Sequence, residues 1–228
     1  MVTQVSFLLI AVALILAIIN WVSVAKKWKE IEYITKPGVI LALISWLIIN
    51  GGYQGYSLFF LIGLVFSLFG DIIFMLPKGK FLAGLAFFLF TNFAYTVGFN
   101  NTFPQFSFAG IILLILVGMN AFLISRHIIS ELVARGDKNL RIPVIIYTFA
   151  IMIMVISAYH TLIRPNVEWN PFSAIVVSFG ATCFFLSDSL LAWNKFVTQT
   201  PHAPILIMIT YHLAQITIIF GAGLNYLM

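Results

Sequence analysis

The chain has 228 residues, 62% of them hydrophobic and only 8% charged, where soluble domains carry about 25% charged residues. That composition excludes a soluble globular domain, a disordered chain and a disulfide-stapled secreted module. The net charge of +5 comes from 12 basic residues set among apolar runs, which excludes a nucleic-acid binder and leaves an all-α integral membrane protein.

A bilayer core about 30 Å thick takes roughly 20 apolar residues per helix. Eight runs approach that length, at 5–25, 37–50, 56–76, 81–99, 106–125, 142–163, 172–193 and 203–227, and they predict one transmembrane domain over 1–228, a single bundle of eight helices. The first run lacks a basic leader and is followed directly by Lys26 and Lys27, so it reads as a retained helix rather than a cleaved signal. The second is short, with Pro37 suited to the first turn of a helix. The charge pattern argues for keeping it. Lys26, Lys27, Lys29 and Lys36 fall in the first connection and Lys78 and Lys80 in the third. Arg126, Arg135, Lys138 and Arg141 fall in the fifth, within a polar stretch over 131–141 that reads as a solvated loop, and Lys195 in the seventh. The termini and even connections carry only Arg164. The positive-inside rule then puts both termini on the non-cytoplasmic side. Compact loops without a targeting signal point to a bacterial inner (cytoplasmic) membrane.

Two acids stand inside these spans. Asp71, in FSLFGDIIFML, and Asp188, in ATCFFLSDSLLAW, sit where a charged carboxylate costs at least ~2.5 kcal/mol. From the helical rise, each lies roughly 7–8 Å inside the cytoplasmic boundary, with Tyr147 at the same depth and Lys36 just outside, at the mouth of the second span. Gly63, Ser67 and Asp71 recur at helical spacing, a small-residue stripe that aims the carboxylate into the bundle. Tyr211, His212 and Gln215 share a face of the last span, and Asn92 with Tyr95 forms a polar edge in the fourth. Together they describe a polar pocket open to the cytoplasm, with these five as its deeper wall.

Each residue also has a plainer reading. The aspartates could form structural salt bridges with Lys36 or Lys195, while Asn92, Tyr147 and Gln215 could make interhelical hydrogen bonds, and His212 could be a packed core histidine. No HExxH spacing is present, and a metal site built from Asp71, Asp188 and His212 has little else in the sequence to support it, so no metal and no cofactor is expected. The lone Cys183 allows no intrachain disulfide. No GxSxG elbow, phosphate-binding loop or dinucleotide fingerprint occurs.

Four segments carry a resemblance: TKPG at 35–38, FGDIIFMLPKGKFLAGLAFFLFTNFAYTVGF at 69–99, LSDSLLAWNKF at 186–196 and YHLAQ at 211–215. In order and spacing they resemble the YhhN-like family, the lysoplasmalogenases. The resemblance implies hydrolysis of the vinyl-ether bond of a lysoplasmalogen, a single-chain ether phospholipid, to a fatty aldehyde and glycerophosphoethanolamine or glycerophosphocholine. The family places an Ala-His-x-x-Tyr pattern in the fourth span, where this chain has Thr91-Asn92-x-x-Tyr95. An asparagine donates and accepts hydrogen bonds but does not titrate, which directs the search for chemistry to Asp71 and Asp188.

Vinyl ethers hydrolyse by proton transfer to the β-carbon, giving an oxocarbenium-like cation that water captures. Two aspartates in a low-dielectric site can supply a protonated donor and an ionised partner, as carboxylate pairs do in glycosidases. On this reading Lys36 and Lys195 hold the substrate phosphate, and Tyr147 and Tyr211 line the chain or contact the head group. The competing readings are a proton-coupled small transporter or lipid-handling protein using the same aspartates, and a scaffold in which they only hold helices together. Intramembrane glycines are compatible with a homo-oligomer without showing one.

Overall fold

A computed structural model of the chain describes residues 4–76, 80–100, 108–163 and 169–227. They form eight helices: α1 (Gln4–Lys26), α2 (Lys29–Ile49), α3 (Ser57–Met75), α4 (Phe81–Phe99), α5 (Phe108–Ala134), α6 (Arg141–Ile163), α7 (Pro171–Phe196) and α8 (Ala203–Tyr226). Each is long and apolar enough to cross a membrane, and no strand occurs among the described residues, so the protein is an all-α integral membrane protein.

The helices outrun the apolar runs where polar residues extend them. α2 begins at Lys29 rather than Pro37, so Pro37 lies inside the helix instead of in its first turn. Glu30 and Glu32 in that first turn complement the helix dipole, and Lys29 pairs with Glu32 at 2.8 Å. α5 continues past residue 125 to Ala134, taking in Arg126 and His127, whose ring stacks on Trp193. The stretch at 131–141 is therefore not a solvated loop but the end of α5, a turn at Gly136 and a 3-10 turn, Lys138–Leu140, leading into α6. α7 starts at Pro171, capped by the Asn170 side chain accepting from the Phe172 N–H at 2.9 Å. Residue 106, Lys78 and Arg164 lie outside the described residues.

α8 is the hub, packing along α7 and against α1, α2 and α3, while α6 joins α4 to α7. α5 packs on α6 and α7 and turns large apolar side chains such as Leu116 and Phe122 outward. One end of the bundle gathers the α1–α2, α3–α4, α5–α6 and α7–α8 connections and with them Lys26, Lys29, Lys80, Arg135, Arg141 and Lys195. It is the basic end. The site lies within the helices toward this end.

Candidate functional site

Asp71 owes its position to the small inner face of α3. The Tyr95 ring packs against Gly63 where any β-carbon would collide, and a β-carbon on Gly70 would stand 2.7 Å from Phe88 Cε2. α4 therefore lies close over α3, and Asp71 is fully buried. Its Oδ1 stands 3.1 Å from Lys36 Nζ, and its Oδ2 accepts from the Tyr211 hydroxyl at 2.7 Å. Lys36 is thus not at the mouth of the second span. It sits two turns into α2, 6% exposed, because α2 starts earlier than its apolar run.

Behind Asp71 runs a chain of hydrogen bonds whose direction can be read. Tyr211 gives its proton to Asp71, so Ser67 must be the donor in the 2.7 Å contact between Ser67 Oγ and the Tyr211 oxygen. Ser67 Oγ accepts from Gln215 Nε2 at 2.7 Å, and Gln215 Oε1 accepts from the Tyr95 hydroxyl at 2.6 Å. From Tyr95 to Tyr211, each donor points along the chain toward Asp71.

Asp188 is held differently. It projects from α7, partly exposed, and its Oδ2 accepts from the Tyr147 hydroxyl of α6. Asn92 of α4 donates to the Phe88 carbonyl at 3.0 Å, and its side chain also interacts with the Tyr147 hydroxyl. Among the described residues no cation lies within ion-pair distance of Asp188.

The two carboxylates face one cavity of about 240 Å³, whose wall also includes Lys36, Lys195, Tyr211 and Phe88. Asp188 and Phe88 line in addition a narrower apolar cleft of about 60 Å³ among α4, α5, α6 and α7, with Leu85, Ile124, Ile151 and Phe185. Asp188 thus stands at the junction of a polar chamber and an apolar one.

Not every residue singled out from the sequence reaches this junction. Lys195, in the last turn of α7, lines the polar cavity with its Nζ 4.7 Å from the Phe81 ring centroid. Tyr95, Asn92 and Gln215 are fully buried behind the cavity wall rather than part of it: Tyr95 bonds to Gln215, Gln215 in turn to Ser67 of α3, and the Asn92 amide bonds to the Phe88 carbonyl of its own helix. His212 faces the other way. Its Nδ1 accepts from Trp21 Nε1 of α1 at 3.1 Å, which places the ring proton of the neutral imidazole on Nε2. Sequence reasoning places Ser67 on the inner stripe only as a small residue, not as a hydrogen-bond partner, and leaves Trp21 out. The i−4 spacing of Ser67 from Asp71 gives its face, and its hydroxyl makes it a usable candidate partner, whereas nothing in the apolar α1 run marks Trp21. No grouping of three or more His, Cys, Asp or Glu side chains that could hold a metal occurs among the described residues.

The comparisons with known proteins converge on one family. The YhhN family pattern matches residues 31–222, a stretch that contains both aspartates, Lys36 and the whole hydrogen-bonded chain. Human lysoplasmalogenase TMEM86B (Homo sapiens) is 29% identical over 187 residues, covering 82% of this chain and 72% of its own length. Mouse lysoplasmalogenase TMEM86B (Mus musculus) is 28% identical over 206 residues, 90% of this chain and 80% of its own. Human lysoplasmalogenase TMEM86A (Homo sapiens) is 28% identical over 162 residues, 71% of this chain and 63% of its own. No solved structure matches.

Proposed function

The chain belongs to the YhhN family, and on that premise we propose that it is a membrane-embedded hydrolase of lysoplasmalogens, cleaving the vinyl-ether bond to fatty aldehyde and glycerophosphoethanolamine or glycerophosphocholine. The observation that carries the proposal is the unequal partnering of the two aspartates at one cavity. Asp71 has an ammonium and a phenol donor, both of which favour its anionic form, whereas Asp188 has a single phenol and opens on the apolar cleft. We assign the roles from that asymmetry.

Asp188 is the acid. The alkenyl chain lies in the apolar cleft, and the carboxylic proton of Asp188 passes to the β-carbon, so that the double-bond electrons form the new C–H bond. The cation left on the α-carbon and ether oxygen faces the carboxylate just formed, which the Tyr147 hydroxyl steadies. Asp71 holds the attacking water and takes its proton as the C–O bond forms. The hemiacetal then collapses: Asp71 returns that proton to the departing glycerol oxygen, and Asp188 removes the hydroxyl proton as the carbonyl forms. Both carboxyl groups end as they began, and one water is consumed.

The polar chamber faces the basic end, and the positive-inside rule makes that end cytoplasmic, so substrate would be drawn from the inner leaflet of a bacterial cytoplasmic membrane. The test is aldehyde release from lysoplasmenylethanolamine by purified protein in detergent, beside Asp71→Asn and Asp188→Asn variants of matched folding. Release by the parent and its loss in both variants is the expected result. Folded parent protein that releases no aldehyde rejects the proposal. One observation favours a second reading in that case: the buried Lys36–Asp71 pair is the kind of element a proton-coupled carrier uses.

A further inference from the structure

Lys36 is occupied by Asp71, which leaves open what holds the charged end of a phospholipid. The basic end supplies an answer. Outside the two inner chambers lies a vestibule of about 620 Å³ whose charged lining is Lys80 at the start of α4, Arg135 just past α5, Lys195 at the end of α7, and Asp137. Three cations therefore face one carboxylate. Arg135 is fixed in place: its Nη2 donates to the Val197 carbonyl at 3.0 Å, which leaves its other N–H groups for a further acceptor.

The vestibule is continuous with the chemistry. Phe81 lines the vestibule, the polar cavity and the apolar cleft, and Phe196 lines the vestibule and the cleft. The two rings meet edge to face at 5.3 Å and form the partition between outside and inside. Lys195 lines both the vestibule and the polar cavity, reaching past that partition. Seven residues separate Asp188 from Lys195 on α7, roughly 10 Å of helical rise. Seven bonds separate the phosphorus of a lysoplasmalogen from its vinyl β-carbon, an extended reach of roughly 9 Å. A phosphodiester in the vestibule would place the vinyl ether at Asp188.

We infer that Lys80, Arg135 and Lys195 form a phosphodiester subsite that seats the head group of a single-chain ether phospholipid. The inference rests on the hydrolase reading for its substrate, so its test is one of binding and needs no turnover. The ligand is a saturated 1-O-alkyl lysophosphoethanolamine, which has no vinyl ether to cleave; 1-O-alkylglycerol, lacking the phosphate, is the control. Both are titrated by calorimetry into full-length protein in neutral detergent, free of anionic lipid. The Lys80→Ala/Arg135→Gln double variant should bind the phospholipid about tenfold or more weakly, with alkylglycerol binding unchanged. Equal weakening of both ligands, or of neither, overturns the subsite. Inorganic phosphate separates the sources: failure to displace the phospholipid at millimolar concentration fits a lipid head group, and displacement in proportion to its own tight binding would mark a free-phosphate site and overturn the assignment. Weakening that appears only after anionic phosphatidylglycerol is added would make the vestibule a membrane-surface contact instead, and would also overturn it. Failure of the hydrolase reading shows separately, as absence of aldehyde from the vinyl substrate.

Discussion

Lys36 of α2 and Asp71 of α3 form an ion pair inside the bundle, Nζ to Oδ1 3.1 Å, with side-chain exposures of 7% and 0%. Both charges are held away from bulk water, so each depends mainly on the other, with the Tyr211 hydroxyl donating to Asp71 and the Tyr211 ring lying 5.7 Å from Lys36 Nζ. Removing one partner strands the other. Lys36→Met should therefore destabilise the protein by about 3–5 kcal/mol and abolish activity, because Asp71 then has to take up a proton and no longer accepts one from water. The double variant Lys36→Met/Asp71→Asn should recover most of that stability and none of the activity. Unfolding midpoints in detergent, read beside aldehyde release, check both halves. A Lys36→Met protein that keeps its kcat and loses only substrate affinity would return Lys36 to the head-group role.

The two phenols separate by the same logic. Tyr211→Phe leaves Ser67 without its acceptor and Asp71 with Lys36 alone, at a cost of about 1–3 kcal/mol in stability together with lost activity. Tyr147→Phe removes one donor from the more open Asp188, so it should lower kcat by about tenfold or more with a smaller loss of stability. Asn92→Leu, which touches Tyr147 but not Asp188, should act in the same direction and add little to Tyr147→Phe in the double variant. Additive losses would show that Asn92 acts by some route other than Tyr147.

How much of this was legible in the sequence depends on which residues a reading starts from. Asp71 and Asp188 stand out because a carboxylate in an apolar span is an exception, and the small stripe Gly63–Ser67–Asp71 tells which face turns inward. The role of Lys36 was obscured by a boundary. The segment ahead of Pro37 is polar enough to read as a loop, yet it is helical, which carries Lys36 from the surface into the bundle. Its burial also depends on α3 presenting Asp71 to it, a tertiary fact with no local signature. For the same reason Tyr95, Asn92 and Gln215 could be recognised as polar and inward-facing, while sequence periodicity had no means of separating the cavity wall from the layer behind it.

The turn between α1 and α2 offers a stability prediction independent of chemistry. Lys27 adopts φ 60, its N–H bonded to the Val24 carbonyl and the Trp28 N–H to that of Ser23, the closure in which glycine is preferred. Gly51 and Gly136 end their helices the same way at φ 85 and φ 84. A β-carbon in this region is strained by about 1–2 kcal/mol, part of which is offset by the greater freedom of glycine in the unfolded chain. Lys27→Gly should raise stability by about 0.5–1 kcal/mol, seen as a higher unfolding midpoint, with kinetics unchanged because Lys27 is exposed and remote from both aspartates.

The sharpest consequence of placing the proton on carbon is isotopic. If Asp188 protonates the β-carbon, hydrolysis in D₂O must leave one deuterium on the carbon next to the aldehyde, and kcat must fall because that transfer limits the rate. If water then attacks the α-carbon, ¹⁸O from labelled water enters the aldehyde and stays out of the glycerophosphoethanolamine. Reducing the aldehyde to its alcohol with borohydride as it forms keeps both the carbon-bound deuterium and the carbonyl oxygen and prevents later exchange, and mass spectrometry reads both products. Deuterium on the aldehyde chain with unlabelled glycerophosphoethanolamine is the expected pattern. Label in the glycerol oxygen would mean cleavage on the other side of the ether, which assigns Asp188 no proton transfer to carbon and would require a nucleophile at the glycerol carbon instead. The Asp188→Glu variant refines the outcome, since a carboxylic acid displaced by one methylene should keep the labelling pattern while lowering the rate, whereas Asp188→Asn should yield no labelled aldehyde at all.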